Sequence, residues 1–197
     1  AAYRLPNRKQ TELVVQKSPI KQVIGSEAIF SNLHGFLVAP FSETSMCPPF
    51  LIHPDIYASD SLSEEQFTEI KEIDAVPIAS NESHIPTAIN YSGYLKQINQ
   101  VISQIESGVF EKVVLSRVKI VEGNYVNKLT HIFGQLIENY PNAFVFMFNA
   151  GPHLWIGATP EPLLRAENGS MFTVSLAGTR TFEDRNLNIG AWNSKER

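Results

Sequence analysis

Apolar residues after Ser92 alternate between a helix-length and a strand-length pattern, and this alternation constrains the fold more than any other feature. The first stretch repeats apolar side chains at helical spacing over three turns, at Tyr94, Leu95, Ile98, Val101, Ile102 and Ile105. Ser92 is placed to cap this helix and Gly108 to end it. Residues 109–121 then carry apolar side chains on both faces of an extended chain, which predicts a central strand covered on both sides.

A second helix and a run of strands are predicted after this segment. The tripeptide Tyr-Pro-Asn at 140–142 ends the helix, and residues 144–148 and 154–157 have the length and composition of strands. An Asn-Gly pair separates apolar runs at 163–166 and 171–176, which predicts a hairpin. The apolar stripe of the second helix consists of Leu129, Ile132, Phe133, Leu136 and Ile137.

The N-terminal third has weaker patterns that point to the same fold class. Short apolar runs at 13–15 and 35–39 predict strands, and residues 61–73 include a predicted short helix. The sequence therefore predicts an α+β fold, a largely antiparallel sheet with helices packed against one face.

Composition excludes several functional classes. The chain has 197 residues, of which 43% are hydrophobic and 18% charged, so it can bury a core without disulfides or a structural metal. Cys47 is the single cysteine and cannot form an internal disulfide. A net charge of -4 without a basic stripe argues against nucleic acid, and no apolar run reaches the roughly 18 residues of a membrane span. We expect a cytoplasmic protein.

Lys112 lies in the middle of the predicted central strand, where an ammonium group would lose its hydration. One interpretation is structural: Lys112 pairs with a carboxylate or reaches solvent at a sheet edge. The other is functional: burial keeps the amine neutral, so that it can act as a base near neutral pH. The residues alone favour the structural interpretation and leave both open.

Two further segments carry candidate chemistry. Glu161 stands between Pro160 and Pro162, and the two prolines restrict the backbone around its carboxylate. Residues 175–180, Ser-Leu-Ala-Gly-Thr-Arg, place small residues after a strand, where the backbone can approach a ligand and free N–H groups can bind an anion. Taken singly, these segments are most simply an exposed turn and a strand-ending turn. Their occurrence together with the segment around Lys112, residues 111–117 (the Lys112 segment), in this order, favours a functional site.

The three segments resemble motifs of the chorismate-utilising superfamily, which includes isochorismate synthases, salicylate synthases and the large subunits of anthranilate and aminodeoxychorismate synthases. The similarity runs from about residue 94 to 180 through Lys-Val-Val-Leu-Ser-Arg, Gly-Ala-Thr-Pro-Glu and Leu-Ala-Gly-Thr-Arg. The opening Tyr-Arg-Leu-Pro, residues 3–6, is also similar to isochorismate synthases. The resemblance implies the aminodeoxychorismate (ADC) and anthranilate synthase fold, with residues 1–197 forming the N-terminal part of a single chorismate-binding domain.

The resemblance also implies an activity, that of an isochorismate synthase, in which water adds to C2 of chorismate and the C4 hydroxyl departs. Lys112 matches the base of water-using members, where ammonia-using members carry glutamine, which cannot accept a proton from water. Glu161 matches the acid that protonates the C4 hydroxyl. Ala177 stands where aminodeoxychorismate synthases often have a nucleophilic lysine, and Ala177, Gly178 and Thr179 are expected to bind substrate near its ring carboxylate.

Magnesium and the remainder of the domain are further expectations from the family. Mg2+ binds the ring carboxylate in such enzymes, through glutamates that we expect after Arg197, so no metal ligand is expected within this chain. The fragment alone should then be inactive. Because sheets of the family combine strands from both halves of the chain, we expect residues 1–197 to associate with a C-terminal half or to be disordered and aggregate.

Three alternatives stay open at this point. A salicylate synthase forms isochorismate and then eliminates pyruvate at the same site. A chorismate aminase of the anthranilate or aminodeoxychorismate type is disfavoured by Lys112 and Ala177. A non-catalytic binding protein would have no reason to carry both Lys112 and Glu161. The residues do not choose between menaquinone and siderophore synthesis as the pathway that uses the product.

Overall fold

A computed structural model describes most of the chain: residues 1–18, 22–25, 33–42, 48–74, 87–150, 153–162 and 164–173. These residues belong to two compact units. The first comprises Ala1–Ser80 with Asn124–Pro160, and the second comprises Asn81–Gly123 with Glu161–Arg197.

The described residues form short strands and three helices with the following bounds. The strands are β1 (Ala2–Arg4), β2 (Glu12–Val15), β3 (Gln22–Val23), β4 (Phe36–Val38), β5 (Phe50–Ile52), β6 (Ile56–Ser59), β7 (Phe144–Ala150), β8 (His153–Thr159), β9 (Arg165–Glu167) and β10 (Ser170–Phe172). The helices are α1 (Glu64–Lys71), α2 (Tyr91–Glu106) and α3 (Leu129–Asn139), and a 3-10 turn at Val126–Lys128 precedes α3. The predicted α+β class with antiparallel sheets is confirmed.

The first unit is built around a five-stranded antiparallel sheet with the order β6-β2-β1-β7-β8. The N-terminal strand β1 lies at its centre and joins β2 to β7, which is far away in sequence. Strands predicted at 13–15, 144–148 and 154–157 are confirmed as parts of β2, β7 and β8. A second sheet, β3-β5-β4, includes the strand predicted at 35–39.

Both faces of β7 contribute to the core because its side chains alternate between them. One face carries Phe144, Phe146 and Phe148. Phe36 of β4 packs on this face, with its ring centroid 6.5 Å from that of Phe144 and 5.6 Å from that of Phe148. Val145 on the opposite face is fully buried. Helix α3 contacts β7 and β8 and contributes the buried Phe133 from its predicted apolar stripe.

Arg4 of β1 is a buried cation whose partners are backbone carbonyls. Its guanidinium donates to the oxygens of Tyr140 at 2.6 Å, Pro141 at 2.6 Å and Ala143 at 3.1 Å, and also to those of Leu5 and Arg8. Tyr140 is the residue that ends α3, where backbone carbonyls lack partners within the helix. Arg4 therefore ties the N-terminal strand to the turn between α3 and β7.

Helix α1 confirms the short helix predicted within 61–73. Ser63 and Gln66 form a capping box, in which the Ser63 hydroxyl accepts from the Gln66 N–H and the Gln66 side chain accepts from the Ser63 N–H. Lys17 forms an ion pair with Glu69 of this helix. The backbone N–H of Lys17 also donates to Asp55, and this hydrogen bond is the largest cause of the lowered pKa of Asp55.

Helix α2 in the second unit begins two residues earlier than the sequence suggested. Asn90 is the N-cap, and its side chain accepts a hydrogen bond from the Gly93 N–H at 2.8 Å. The prediction of Ser92 as the cap is therefore wrong. Asn and Ser cap helices about equally well, and the pattern did not distinguish them. Gly108, with φ of 77°, ends the helix as predicted.

Residues 109–121 do not form the predicted central strand. No described strand pairs with them, and the segment runs on without regular structure. Most of its apolar side chains are exposed, including Val114 at 76%, Val118 at 43% and Ile120 at 46%. The prediction is wrong for a physical reason: a strand is stabilised by hydrogen bonds to a neighbouring strand, and the described residues supply no neighbour for this segment.

The hairpin predicted around Asn168-Gly169 is confirmed. Strands β9 and β10 pair with Ser170 opposite Glu167, and Asn168 and Gly169 have φ of 50° and 78°. Two consecutive positive φ angles are typical of the type I′ turn that joins the strands of a tight hairpin. The strands are shorter than predicted, and residues 174–176 lie outside the described part of the chain.

The helices that the structure describes are all too short or too polar to cross a membrane.

Candidate active site

Lys112 lies in the segment that lacks strand pairing, and its side chain is exposed to solvent. The expectation that Lys112 sits in the middle of a buried strand is therefore wrong. The amine was expected to lose its hydration because apolar residues would cover both faces of that strand. Since the strand does not form within the described residues, Lys112 is not desolvated by them.

The residues just after Lys112 border a shallow groove against helix α2. The groove has a volume of about 450 Å³. Its walls come from α2 on one side and from the Lys112 segment on the other, and Lys112 is not part of them. The lining residues are Gln97, Gln100, Val101, Gln104, Val114, Leu115 and Ser116. This groove shows that the segment runs beside α2, with polar amide groups on the helix side.

Glu161 follows directly after strand β8, which ends at Thr159. Its side chain is exposed. Pro160 fixes its own φ and Pro162 disfavours the helical region for Glu161, so the carboxylate is carried on a stiff, extended stretch of backbone. The sequence interpretation of a strand ending at a proline-flanked glutamate is confirmed in this respect, whereas the catalytic role of Glu161 stays a prediction.

Strand β8 has a close contact that the sequence did not reveal. Gly157 lies opposite Phe146 of β7 in the register of the sheet. A Cβ atom placed on Gly157 would lie 2.9 Å from Cζ of the Phe146 ring. The ring thus covers the glycine, and the only local signal was an isolated glycine within a strand pattern, which often marks a close approach.

The third predicted segment, residues 175–180, lies outside the described part of the chain. Ala177, Gly178 and Thr179 lie outside the described residues. Lys112 and Glu161 both belong to the second unit, and each is exposed. The structure thus describes the positions of the predicted base and acid, and the substrate-binding residues stay predictions.

A magnesium site requires several oxygen ligands around one point. Within the described ranges, no three His, Cys, Asp or Glu side chains cluster in a way that could hold a metal ion. The described residues therefore do not form a group that could hold the expected magnesium ion.

Comparison with known proteins adds a decisive observation. A family model described as chorismate binding enzyme matches residues 50–188, about two thirds of the chain and all three candidate segments. The chain belongs to the chorismate-binding enzyme family. The resemblance drawn from the Lys112, Glu161 and Ala177 segments is thereby confirmed at the level of the family.

Two curated relatives are similar to this chorismate-binding enzyme over part of its length. Isochorismate synthase MenF of Bacillus subtilis is 25% identical over 59% of this chain and 24% of its own length. Anthranilate synthase component 1 of Acetivibrio thermocellus is 30% identical over 51% of this chain and 20% of its own length. The similar region thus covers at most about a quarter of either relative. No solved structure matches the chain.

The family description and the two relatives do not point to a single reaction. The family is described by its binding of chorismate, and the two relatives are named for different products. Neither identity is high enough to transfer an activity. The choice between water and ammonia as the nucleophile must therefore come from individual residues.

Proposed function

We propose that the full-length protein is an isochorismate synthase that converts chorismate to isochorismate. The feature that carries the proposal is Lys112, an amine where the resemblance places a neutral amide in the ammonia-using members of the superfamily. Glu161 supports it as the acid. The similarity to an isochorismate synthase over 59% of the chain is consistent with this assignment.

The proposed reaction is a displacement across the ring in which Lys112 and Glu161 each move one proton. Lys112, as the free amine, takes a proton from water while the water oxygen bonds to C2 of chorismate. The ring double bonds shift and the bond between C4 and its oxygen breaks. Glu161 gives its proton to the departing hydroxyl, which leaves as water. One water enters and one leaves, so the product is an isomer of chorismate.

Lys112 must lose hydration before it can act as a neutral base. The described residues leave it exposed. In our proposal the bound substrate and the remainder of the full-length protein exclude water from the amine. Glu161 is the acid in this proposal, and Pro160 and Pro162 restrict the backbone from which its carboxyl group extends.

Binding of the substrate is assigned to Ala177, Gly178 and Thr179. Their small side chains would let the backbone N–H groups reach the ring carboxylate. Alanine at 177 provides no amine for a covalent intermediate of the aminodeoxychorismate synthase type. We also propose Mg2+ as the cofactor of the full-length enzyme, and residues 1–197 as part of one chorismate-binding domain, on the strength of the family.

The test uses the full-length protein with chorismate and Mg2+, without an ammonia source, followed by product analysis. We expect a product of the same mass as chorismate. Lys112→Ala should lower kcat by about 10²-fold to 10⁴-fold, the contribution usual for general base catalysis. Lys119→Ala removes an exposed lysine from the same segment and should leave kcat within about twofold, because surface substitutions away from a site have little effect.

Two other outcomes would replace the proposal. Turnover that requires ammonia would show that Lys112 is not the base for water and would favour an anthranilate synthase, a candidate supported by the relative that is 30% identical. Salicylate and pyruvate as products would move the assignment to a salicylate synthase. Equal activities of the Lys112→Ala and Lys119→Ala variants would remove Lys112 from the mechanism.

A further inference from the structure

The contact between Phe146 and Gly157 belongs to a row of cross-strand pairs that joins β7 to β8. The register places Phe148 opposite Trp155, Phe146 opposite Gly157 and Phe144 opposite Thr159. Phe148 and Trp155 are stacked, with ring centroids 6.4 Å apart and ring planes 9° apart. Within this row the ring of Phe146 lies over the position where Gly157 lacks a side chain.

The ring of Phe146 lies between two other rings on the same face of β7, which limit its movement along the strand. Its ring centroid lies 5.6 Å from that of Phe144 and 5.9 Å from that of Phe148. Phe36 of the other sheet packs on both flanking rings. A methyl group on Gly157 would meet the ring at 2.9 Å, closer than real Cβ contacts, so either the ring row or strand β8 would have to shift.

A shift of β8 would be transmitted to Glu161. The strand ends at Thr159, two residues before Glu161, and the intervening Pro160 gives the connection little torsional freedom. We propose that Phe146 is a positioning residue for Glu161: its ring, seated on Gly157, sets the place of β8 and hence the point from which the acid extends. This inference rests on the proposed role of Glu161.

Stability alone does not account for glycine at this position. Glycine inside a strand costs roughly 0.5–1 kcal/mol relative to alanine because it loses more backbone freedom on folding. At Gly157 the missing side chain instead permits the close approach of the Phe146 ring. The same aromatic cover over a strand glycine is a known means of fixing strand register.

The first measurement compares Gly157→Ala with Gly134→Ala in the full-length enzyme with chorismate. A Cβ atom on Gly134 in α3 would meet nothing within 4 Å, so this variant controls for the substitution itself. Gly157→Ala should lower kcat by about 10²-fold, the usual effect of a misplacement near 1 Å, and leave KM within about threefold. The Phe146→Leu/Gly157→Ala double variant should recover at least about tenfold, because the smaller side chain makes room for the methyl group.

The second measurement separates positioning from loss of structure. If Gly157→Ala acts through the acid, it should have almost no further effect on kcat in a Glu161→Gln background, which already lacks the transferable proton. Multiplicative losses in the Gly157→Ala/Glu161→Gln variant would overturn the inference, as would a double variant with Phe146→Leu that recovers nothing.

An error in the proposed function would appear in the product that the wild-type enzyme forms, before any variant is compared. If the wild type forms a product other than isochorismate from chorismate, the function is wrong, and the same coupling between Gly157 and Glu161 is measured on that product. A wild type without turnover of chorismate would overturn both proposals.

Discussion

Two stretches rich in apolar residues, 144–159 and 109–121, differ in whether they form paired strands. The first forms β7 and β8, which pair along their whole length, and Val145 within it is fully buried. The second has no strand partner among the described residues, and Val114 within it is 76% exposed. The two stretches therefore differ in their neighbours far more than in their composition.

The difference shows how the stability of a strand depends on residues remote in sequence. Helix α2 forms its backbone hydrogen bonds within its own residues, and Asn90 and Gly108 lie at its two ends. Strand β7 instead needs β1, which comes from the other end of the chain, and β8, which follows at once. Residues 109–121 have the pattern of a strand without either kind of partner in the described structure.

Hydrogen exchange should show the largest difference between the two stretches. In the 197-residue chain, paired amides in β7 and β8 should exchange at least about 10³-fold more slowly than amides of residues 112–121, because exchange of paired amides requires opening of the sheet. The measurement is residue-level exchange followed by NMR or mass spectrometry. Equal protection in both stretches would show that residues 112–121 are paired, and the proposed difference between the two stretches would be wrong.

Loss of the hydrogen bonds from the Arg4 guanidinium should have the next largest effect, on the stability of the protein. These hydrogen bonds hold β1 against the turn that precedes β7. Arg4→Lys keeps the charge but cannot span the carbonyls of Tyr140, Pro141 and Ala143 at once. We expect the free energy of unfolding to fall by about 2–4 kcal/mol, since buried hydrogen bonds to a charged group are lost.

Urea denaturation of the Arg4→Lys variant provides the measurement. Arg8→Lys is the matched control, because the Arg8 side chain is exposed and its carbonyl remains available to Arg4. The control should change the free energy of unfolding by less than about 0.5 kcal/mol. If the two variants are equally stable, Arg4 does not hold β1 in place.

The features that sequence predicted correctly are those that depend on nearby residues. Asn168-Gly169 specifies its hairpin through the φ angles that these two residues tolerate, and Gly108 ends α2 for the same reason. Membership of the chorismate-binding family was also predicted from short motifs, and the match to residues 50–188 confirms it.

The features that sequence missed depend on partners far along the chain. The burial of Arg4 required knowledge that β1 lies beside the turn after α3. The ring of Phe146 over Gly157 required the register of β7 against β8. Lys112 was placed in a buried strand because its neighbours are apolar, and it is exposed because no described strand pairs with its segment.

A matched pair of valine substitutions offers the finest test of the comparison. Val145→Ala removes two methyl groups from a fully buried site, and Val114→Ala removes the same groups from a site that is 76% exposed. We expect Val145→Ala to lower the free energy of unfolding by about 2 kcal/mol, through lost burial and the cavity left behind. Val114→Ala should change it by less than about 0.5 kcal/mol.

Both values come from urea denaturation of the same 197-residue chain, so the two substitutions share one reference state. A large loss for Val114→Ala would mean that residues 109–121 are packed in solution, and the predicted central strand would regain its support. A small loss for Val145→Ala would mean that the sheet around β7 tolerates a cavity. If the values separate as expected, burial of each valine decides its contribution, because the deleted atoms are identical.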